Sequence, residues 1–330
     1  MNIKKRIVSG MRPTGPLHLG NLHGALNNWI QLQETYDCFY FIADWHALTT
    51  GYEDTSELSQ HILYMMTDWL SAGLAPEKST LFIQSHVKEH AELFLLLSMI
   101  TPVPWLERNP TYKDQIVQLE NKDLSTFGFL GYPVLQAADI IIYKANGVPV
   151  GVDQVPHIEI TREIARRFNY LFHQNVFPEP EAILTESSKI LGLDRRKMSK
   201  SYHNAIFLSD SAKQVEEKVN QMVTDPQRMR KSDPGNPEIC NVFEFHKLYS
   251  DSQTVQEIDR DCRIAQIGCV ACKKRMAKAL ISAIAPIHEK REYYLSRPDQ
   301  VRDVFFQGTE KARNIAKQTM AEVRDAIRIA

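Results

Sequence analysis

Lys197 to Ser201, reading KMSKS, packs two lysines and two serines around one apolar residue. Lys197 and Lys200 can set two ammonium donors on a polyphosphate, while Ser199 and Ser201 add small hydroxyls on an uncluttered backbone. The alternative is a solvated basic loop, and a match this short decides nothing until its surroundings are read. A second stretch with the same kind of chemistry is His18-Leu19-Gly20-Asn21. It follows an apolar run from Arg6 to Met11 and the breaker-rich turn Arg12-Pro13-Thr14-Gly15. From Leu22 onward Ala25, Leu26, Trp29, Ile30 and Leu32 recur at helical spacing, so the segment predicts a strand, a loop and a helix start. Such a start offers free N–H groups and a positive dipole end to an anion, and Gly20 lets a phosphate or planar ligand approach the backbone. Neither GxGxxG nor GxxxxGK[ST] is present there, which sets the ordinary dinucleotide and P-loop readings aside. Taken alone, His18 reads more readily as a satisfied structural residue.

GYPVLQAADIIIY contains one carboxylate, Asp139, among apolar and amide residues. A carboxylate in such a run must be paired or hydrogen-bonded, so Asp139 needs a donor. If the segment is helical after Pro133, Tyr132, Gln136, Asp139 and Tyr143 fall at i, i+4, i+7 and i+11 and share one face, as a pocket wall would. An Asp that caps a neighbouring helix is the competing reading. Asp44 and His46 stand where the apolar run Cys38 to Ala43 ends, and Asp153 and Gln154 where the strand-like IIIYKANGVPVG ends. Strand ends are where open parallel sheets place their ligand groups. His46 serves equally as a helix-capping partner, and Asp153 as a charge at a helix N-terminus.

Four of the five cysteines, Cys240, Cys262, Cys269 and Cys272, lie in one window with spacing C-x21-C-x6-C-x2-C. In a chain of cytosolic type, clustering of this kind points to metal ligation rather than disulfides. The Cys269-Cys272 pair forms one knuckle, but a structural Zn2+ site usually has a second close pair. Four thiolates also suit a [4Fe-4S] cluster, and unliganded buried thiols are the third reading. Cys38, inside a strand, reads as a small core residue.

The elements that must carry these groups follow from the pattern of the whole chain. Its 330 residues, 43% hydrophobic and 24% charged, suffice for two domains. With a net charge of -1, nucleic acid has to be met by local patches such as Arg228, Arg230 and Lys231, or Lys273 to Arg275. No apolar run reaches about 18 residues and the N-terminus does not read as a signal peptide, so a cytoplasmic protein without a membrane segment is expected. Residues 56–73 and 89–99 read as helices, 81–85 as a strand and about 105–130 as a helix-rich insertion. Alternating strands and helices imply a parallel α/β sheet. Beyond residue 201 the strand signal ends, and 210–224, 254–260, 270–294 and 309–328 read as helices of a second domain.

HxGN after the first strand and KMSKS about 180 residues later resemble, in order and setting, the two signatures of class I aminoacyl-tRNA synthetases. The chain is similar throughout to the tryptophanyl-tRNA synthetases and more distantly to the tyrosyl enzymes. VSGMRPTG, DWHALTT, YPVLQAADI, GVDQVPHIEITR, KMSKS and GTEKARNIAKQTM carry that likeness. It implies a Rossmann-like catalytic domain over 1–196 and a helical, anticodon-binding domain over 197–330. It implies ATP contacts at Arg12, Pro13, Thr14, His18, Gly20, Asn21, Gly151, Val152, Asp153, Ile190, Lys197, Met198, Ser199, Lys200 and Ser201. Among these, Lys197, Ser199, Lys200 and His18 are the expected catalytic groups, and Asp153 the ribose ligand. Tryptophan would be held by Asp139 at the indole N–H, Tyr132 and Gln154 at its charged groups, with Gln136 and His46 lining the pocket. The implied partners are ATP with Mg2+, L-tryptophan, tRNA(Trp) and a second copy of the chain. Many bacterial members have Gln at the position of Arg12 and Met at that of Gln136. The cysteine spacing resembles a subset of tryptophanyl enzymes with a [4Fe-4S] cluster. A tyrosyl enzyme, a nucleotidyltransferase for a small metabolite and a non-charging RNA-binding or iron-sensing paralogue are the rival readings.

Overall fold

The computed structural model describes residues 4–118, 124–184 and 190–329. Its sheet is fully parallel, with strands β1 (Arg6–Met11), β2 (Asp37–Ile42), β3 (Ser79–Ile83), β4 (Gly147–Val150) and β5 (Glu181–Leu184) in the order β3-β2-β1-β4-β5. Because the connections leave β1 in both directions, the strand order reverses between β1 and β4. That reversal opens a crevice at the carboxyl ends of those strands, beside Arg12 and Gly151. β2 and β3 are almost entirely buried, as expected where helices cover both faces of a parallel sheet.

Between the strands run the helices Leu58–Ala72, Glu89–Ser98, Phe127–Ile141 and Val155–Phe172. Gly73 ends the first of them at φ 117°, a backbone region that a side chain disfavours. The helix Phe127–Ile141 begins at Thr126, whose hydroxyl accepts from the N–H of Phe129, and it contains Pro133 within its length. It therefore starts before Pro133, earlier than the sequence suggests. It also absorbs Ile140 and Ile141, so that the strand expected over IIIYKANGVPVG is confined to Gly147–Val150. Those isoleucines continue the helical face of Val134, Ala137 and Ala138 into the core, and tertiary packing outweighs their β-preference. Of the expected insertion, Val103–Glu107 and Pro110–Gln118 are helical, and 119–123 lie outside the described residues.

The chain forms two compact units, one of Met1–Gly15, Asn28–Ser187 and Ser296–Ala330, the other of Pro16–Asn27 and Ser188–Leu295. The last helix, Pro298–Ile327, which chain order would place with the helical half, packs into the sheet unit. Its Ala312, Ala316, Met320 and Val323 recur at helical spacing and are fully buried in the same core as Phe39, Phe82 and Phe168.

In the second unit the helices are Ala212–Gln221, Asn241–Tyr249, Ser252–Arg263 and Cys269–Leu295. Asn241–Tyr249 was not anticipated; the other three lie where the apolar spacing places them. The HxGN segment opens a short helix that passes through a π-helical stretch, Leu22–Leu26, a rare geometry enriched at functional sites. Among the described residues no helix is long and apolar enough to cross a membrane.

Candidate active site

In the unit that contains both signatures, His18 and KMSKS are brought together. His18 stands at the N-cap of its helix, and its own N–H donates to Asn21 Oδ1 at 3.0 Å. Its ring is buried, yet Nδ1 has no hydrogen-bond partner among the described residues, an open polar position where a ligand would satisfy it. Burial, followed by the nearby ammonium charges of Lys200 and Lys197, lowers the pKa of His18 to about 4. The imidazole is therefore neutral at neutral pH and offers one N–H without adding charge. A Cβ on Gly20 would come within 2.9 Å of the His18 ring, so the glycine leaves room for that ring.

The KMSKS loop is held from behind by Asn204, a buried residue that sequence reasoning did not single out. Asn204 Oδ1 accepts from the N–H of Ser199 at 2.8 Å, while its Nδ2 donates to Asp194 at 2.7 Å and to the carbonyl of Lys197 at 3.3 Å. A Cβ on Gly192 would overlap the Asn204 amide, so this residue too must be small. The N–H of Met198 donates to the carbonyl of Ile190 at 3.1 Å, and the Met198 side chain is buried. With Met198 anchored, Lys197 and Ser201 are left exposed and Ser199 and Lys200 partly so.

The sheet unit gathers the residues expected around tryptophan. Asp139, from the helix Phe127–Ile141, is fully buried, and the donor it requires is supplied three times over. His46 Nε2 lies 2.7 Å from its Oδ2, His90 Nδ1 2.5 Å from its Oδ1, and Gln84 Nε2 reaches both oxygens. Burial pushes the Asp139 carboxyl up, but the hydrogen bonds from His46 and His90 outweigh it and hold the pKa below the ordinary carboxylate value. The capping alternative is set aside, because these partners are side chains rather than the free N–H groups of a helix. Gln84 and His90 were missed by sequence reasoning, since neither belongs to a local pattern.

One helical turn before Gln136, the Tyr132 hydroxyl lies 3.3 Å from His157 Nε2, and His157 Nδ1 lies 3.2 Å from the Asn109 amide. Burial lowers the His157 pKa to about 4, with a smaller push from His46, and burial also pushes the Tyr132 hydroxyl above its usual value. Both are neutral polar groups facing the same wall. Gln136 is only partly buried on that face. Beyond β4, Gln154 Nε2 donates to Asp153 Oδ2 at 3.0 Å, and a Cβ on Gly151 would come within 2.7 Å of the Asp153 carboxylate. Val152 and Asp153 are exposed there, as are Arg12 and Thr14 at the end of β1, with Pro13 buried between them.

The four clustered cysteines occupy one neighbourhood of the second unit. None is in a disulfide. Burial raises the Cys272 pKa to about 12, with the thiols of Cys240, Cys262 and Cys269 pushing the same way. Arg228 Nη1 stands 3.7 Å from the Cys262 sulfur and 3.9 Å from that of Cys269. Among the described residues no group of three or more His, Cys, Asp or Glu side chains is arranged to hold a metal ion. Cys38 is a buried core thiol, its pKa raised to about 11 by burial.

A doubly wound parallel sheet with a histidine at a helix start and a two-lysine loop defines a nucleotide-binding α/β enzyme of the class I synthetase type. The family signature described as tRNA synthetases class I (W and Y) matches residues 2–285, and the chain belongs to that family. It is 56% identical to the tryptophan–tRNA ligase of Thermotoga maritima over 98% of this chain and 99% of that one. With the tryptophan–tRNA ligase of Aquifex aeolicus it shares 50% identity over 98% of this chain and 100% of that one. Among solved structures, the tryptophanyl-tRNA synthetase of Campylobacter jejuni in complex with ADP and tryptophan is 35% identical with a TM-score of 0.90, over 98% of this chain and 99% of that one.

Proposed function

We propose that this chain is a tryptophan–tRNA ligase, which activates L-tryptophan with ATP to tryptophanyl-adenylate and transfers it to tRNA(Trp), releasing AMP and diphosphate. The observation that carries the reading is identity of 50 to 56% with tryptophan–tRNA ligases along almost the full length of both chains. The tyrosyl-tRNA synthetase of Archaeoglobus fulgidus shares only 20% identity with this chain, and a chain that retains both signatures is poorly explained as an idle paralogue. Amino-acid-dependent ATP–pyrophosphate exchange tests it: exchange driven by tryptophan and not by tyrosine supports it. Exchange driven by tyrosine, or by no amino acid, overturns it.

In the first step the tryptophan carboxylate attacks the α-phosphorus in line and pyrophosphate leaves, so no protein nucleophile is needed. Lys197, Lys200 and Ser199 take the phosphates, and His18, neutral through burial, donates one N–H among them. Each such donor contributes on the order of 2–4 kcal/mol when it meets charge that develops in the transition state. Gly20, Asn21, Arg12, Pro13, Thr14, Gly151, Val152, Ile190, Met198 and Ser201 form the rest of the ATP contacts in this reading, with Asp153 on the ribose. Mg2+ enters with ATP as part of the substrate. For tryptophan, Asp139 takes the indole N–H, Tyr132 and Gln154 the charged groups, and Gln136 and His46 the pocket wall. A buried acceptor discriminates well, because an analogue without the N–H leaves it unpaired.

Three further readings belong to the same proposal. Exposed Leu95, Met99, Val103, Ile116 and Phe127 support a homodimer surface on and around the insertion. The helical unit is read as the anticodon-binding part, with Arg230, Lys231 and Lys274 among its cations. Cys240, Cys262, Cys269 and Cys272 are read as ligands of a [4Fe-4S] cluster, with Zn2+ as the alternative. Their shared neighbourhood, the all-sulfur donor set and the guanidinium beside two of them support this. A metal there would tie residues 240–272 together. Free thiols and a tRNA substrate fit the cytoplasm.

A further inference from the structure

Asp139 carries more partners than an acceptor for one substrate N–H needs. Gln84 Nε2 donates to Oδ1 at 2.8 Å and to Oδ2 at 2.9 Å, His90 Nδ1 stands 2.5 Å from Oδ1, and His46 Nε2 2.7 Å from Oδ2. Together they use up the roughly four lone-pair directions of a carboxylate. An incoming N–H is accepted only where one of these donors gives way.

Gln84 is fully buried and tied down at its other end, where its Oε1 accepts from the N–H of Trp45 at 3.2 Å. His90 is fully buried as well. Its Nε2 lies 2.5 Å from the Tyr143 hydroxyl, and its ring is packed against those of Phe41 and Phe82. Full burial pushes the Tyr143 hydroxyl well above its ordinary pKa, so it remains a donor. Tyr143 O–H then donates to His90 Nε2 and His90 Nδ1–H donates to Asp139, a chain that fixes which imidazole nitrogen carries the hydrogen. His46 is the one partner of Asp139 that keeps some exposure, 11% of its side chain against 0% for His90.

On the reading that Asp139 accepts the indole N–H, we infer that His90, backed by Tyr143, is a positioning residue. It anchors Oδ1 so that Oδ2 faces the substrate, and His46 holds Oδ2 only until the indole N–H replaces it. Anchoring matters because a carboxylate free to turn about its last torsion would offer the indole an acceptor in the wrong plane.

The test is ATP–pyrophosphate exchange with tryptophan and with its benzothiophene analogue, in which sulfur replaces the indole N–H. The quantity read is the ratio of the two kcat/KM values. His90→Leu should lower that ratio by about tenfold or more, chiefly through a raised KM for tryptophan. His90→Asn, which keeps a donor near the Nδ1 position, should restore most of it. Tyr143→Phe, which keeps the ring and removes only the hydroxyl, should lower it less. If His90→Leu depresses both amino acids equally, the ratio is unchanged and His90 is merely structural, which overturns the inference. Should that variant not fold, an unchanged ratio in Tyr143→Phe does the same. A wild-type ratio in Asp139→Asn would instead sink the indole-acceptor reading on which the inference rests, whatever the His90 variants do.

Discussion

Gly308 lies directly on the backbone of Leu81, so close that a Cβ at 308 would overlap the Leu81 carbonyl. The C-terminal helix thus meets β3 main chain to main chain, with no side chain between them at that point. Gly308→Ala is expected to destabilise the protein at the upper end of the ~1–3 kcal/mol typical of overpacking, since a backbone cannot turn aside as a side chain can. Urea unfolding checks it, and an unchanged midpoint would mean that the helix docks elsewhere.

Lys200→Ala should lose tryptophan activation in kcat far more than in tryptophan affinity. Lys200 is among the causes of the lowered His18 pKa, which places its ammonium in the field of the open Nδ1 position. A donor that acts on developing charge contributes about 2–4 kcal/mol to the transition state and little to the ground state. Pyrophosphate exchange across tryptophan concentrations separates the two. An unchanged kcat with a raised KM would contradict the assignment.

His157 should make stability fall between pH 7 and pH 5. Its folded pKa, about 4, lies below the ordinary value of 6.5, so the unfolded chain binds a proton first. The stabilisation is whole above pH 6.5 and is lost as pH falls through about 4. At pH 5 it should be reduced by about 2 kcal/mol, at 1.36 kcal/mol per unit. Denaturation at the two pH values checks this, and His157→Asn should shrink the difference by about 2 kcal/mol, leaving the share of His18, whose pKa is lowered likewise. An equal slope in the variant would assign it to other groups.

Cys262→Ser should impair tRNA charging while leaving ATP–pyrophosphate exchange largely intact. On the [4Fe-4S] reading, wild-type protein isolated without oxygen should be brown, with about four irons per chain. A colourless protein with one zinc would favour the tetrahedral alternative. Full charging by metal-free protein would end the metal reading.

The parts of this protein whose physics is local could be read from the order of its residues. The apolar run before Arg12 and the helical spacing after Leu22 gave the strand, loop and helix start that carry His18, because both depend on side-chain period over a few residues. The lone carboxylate in GYPVLQAADIIIY marked Asp139 as a residue that needed a donor. It did not say which donors. Gln84, His90 and His46 lie 55, 49 and 93 residues away along the chain, and no local pattern encodes a hydrogen bond across that distance. The same holds for Asn109 behind His157, 48 residues away. Ile140 and Ile141 show the converse, since their strand preference was legible but burial against the sheet made them helix. That the last helix belongs to the sheet unit emerged only from long-range packing, for its apolar stripe could have covered any apolar face, and the bare backbone at Gly308 fits β3.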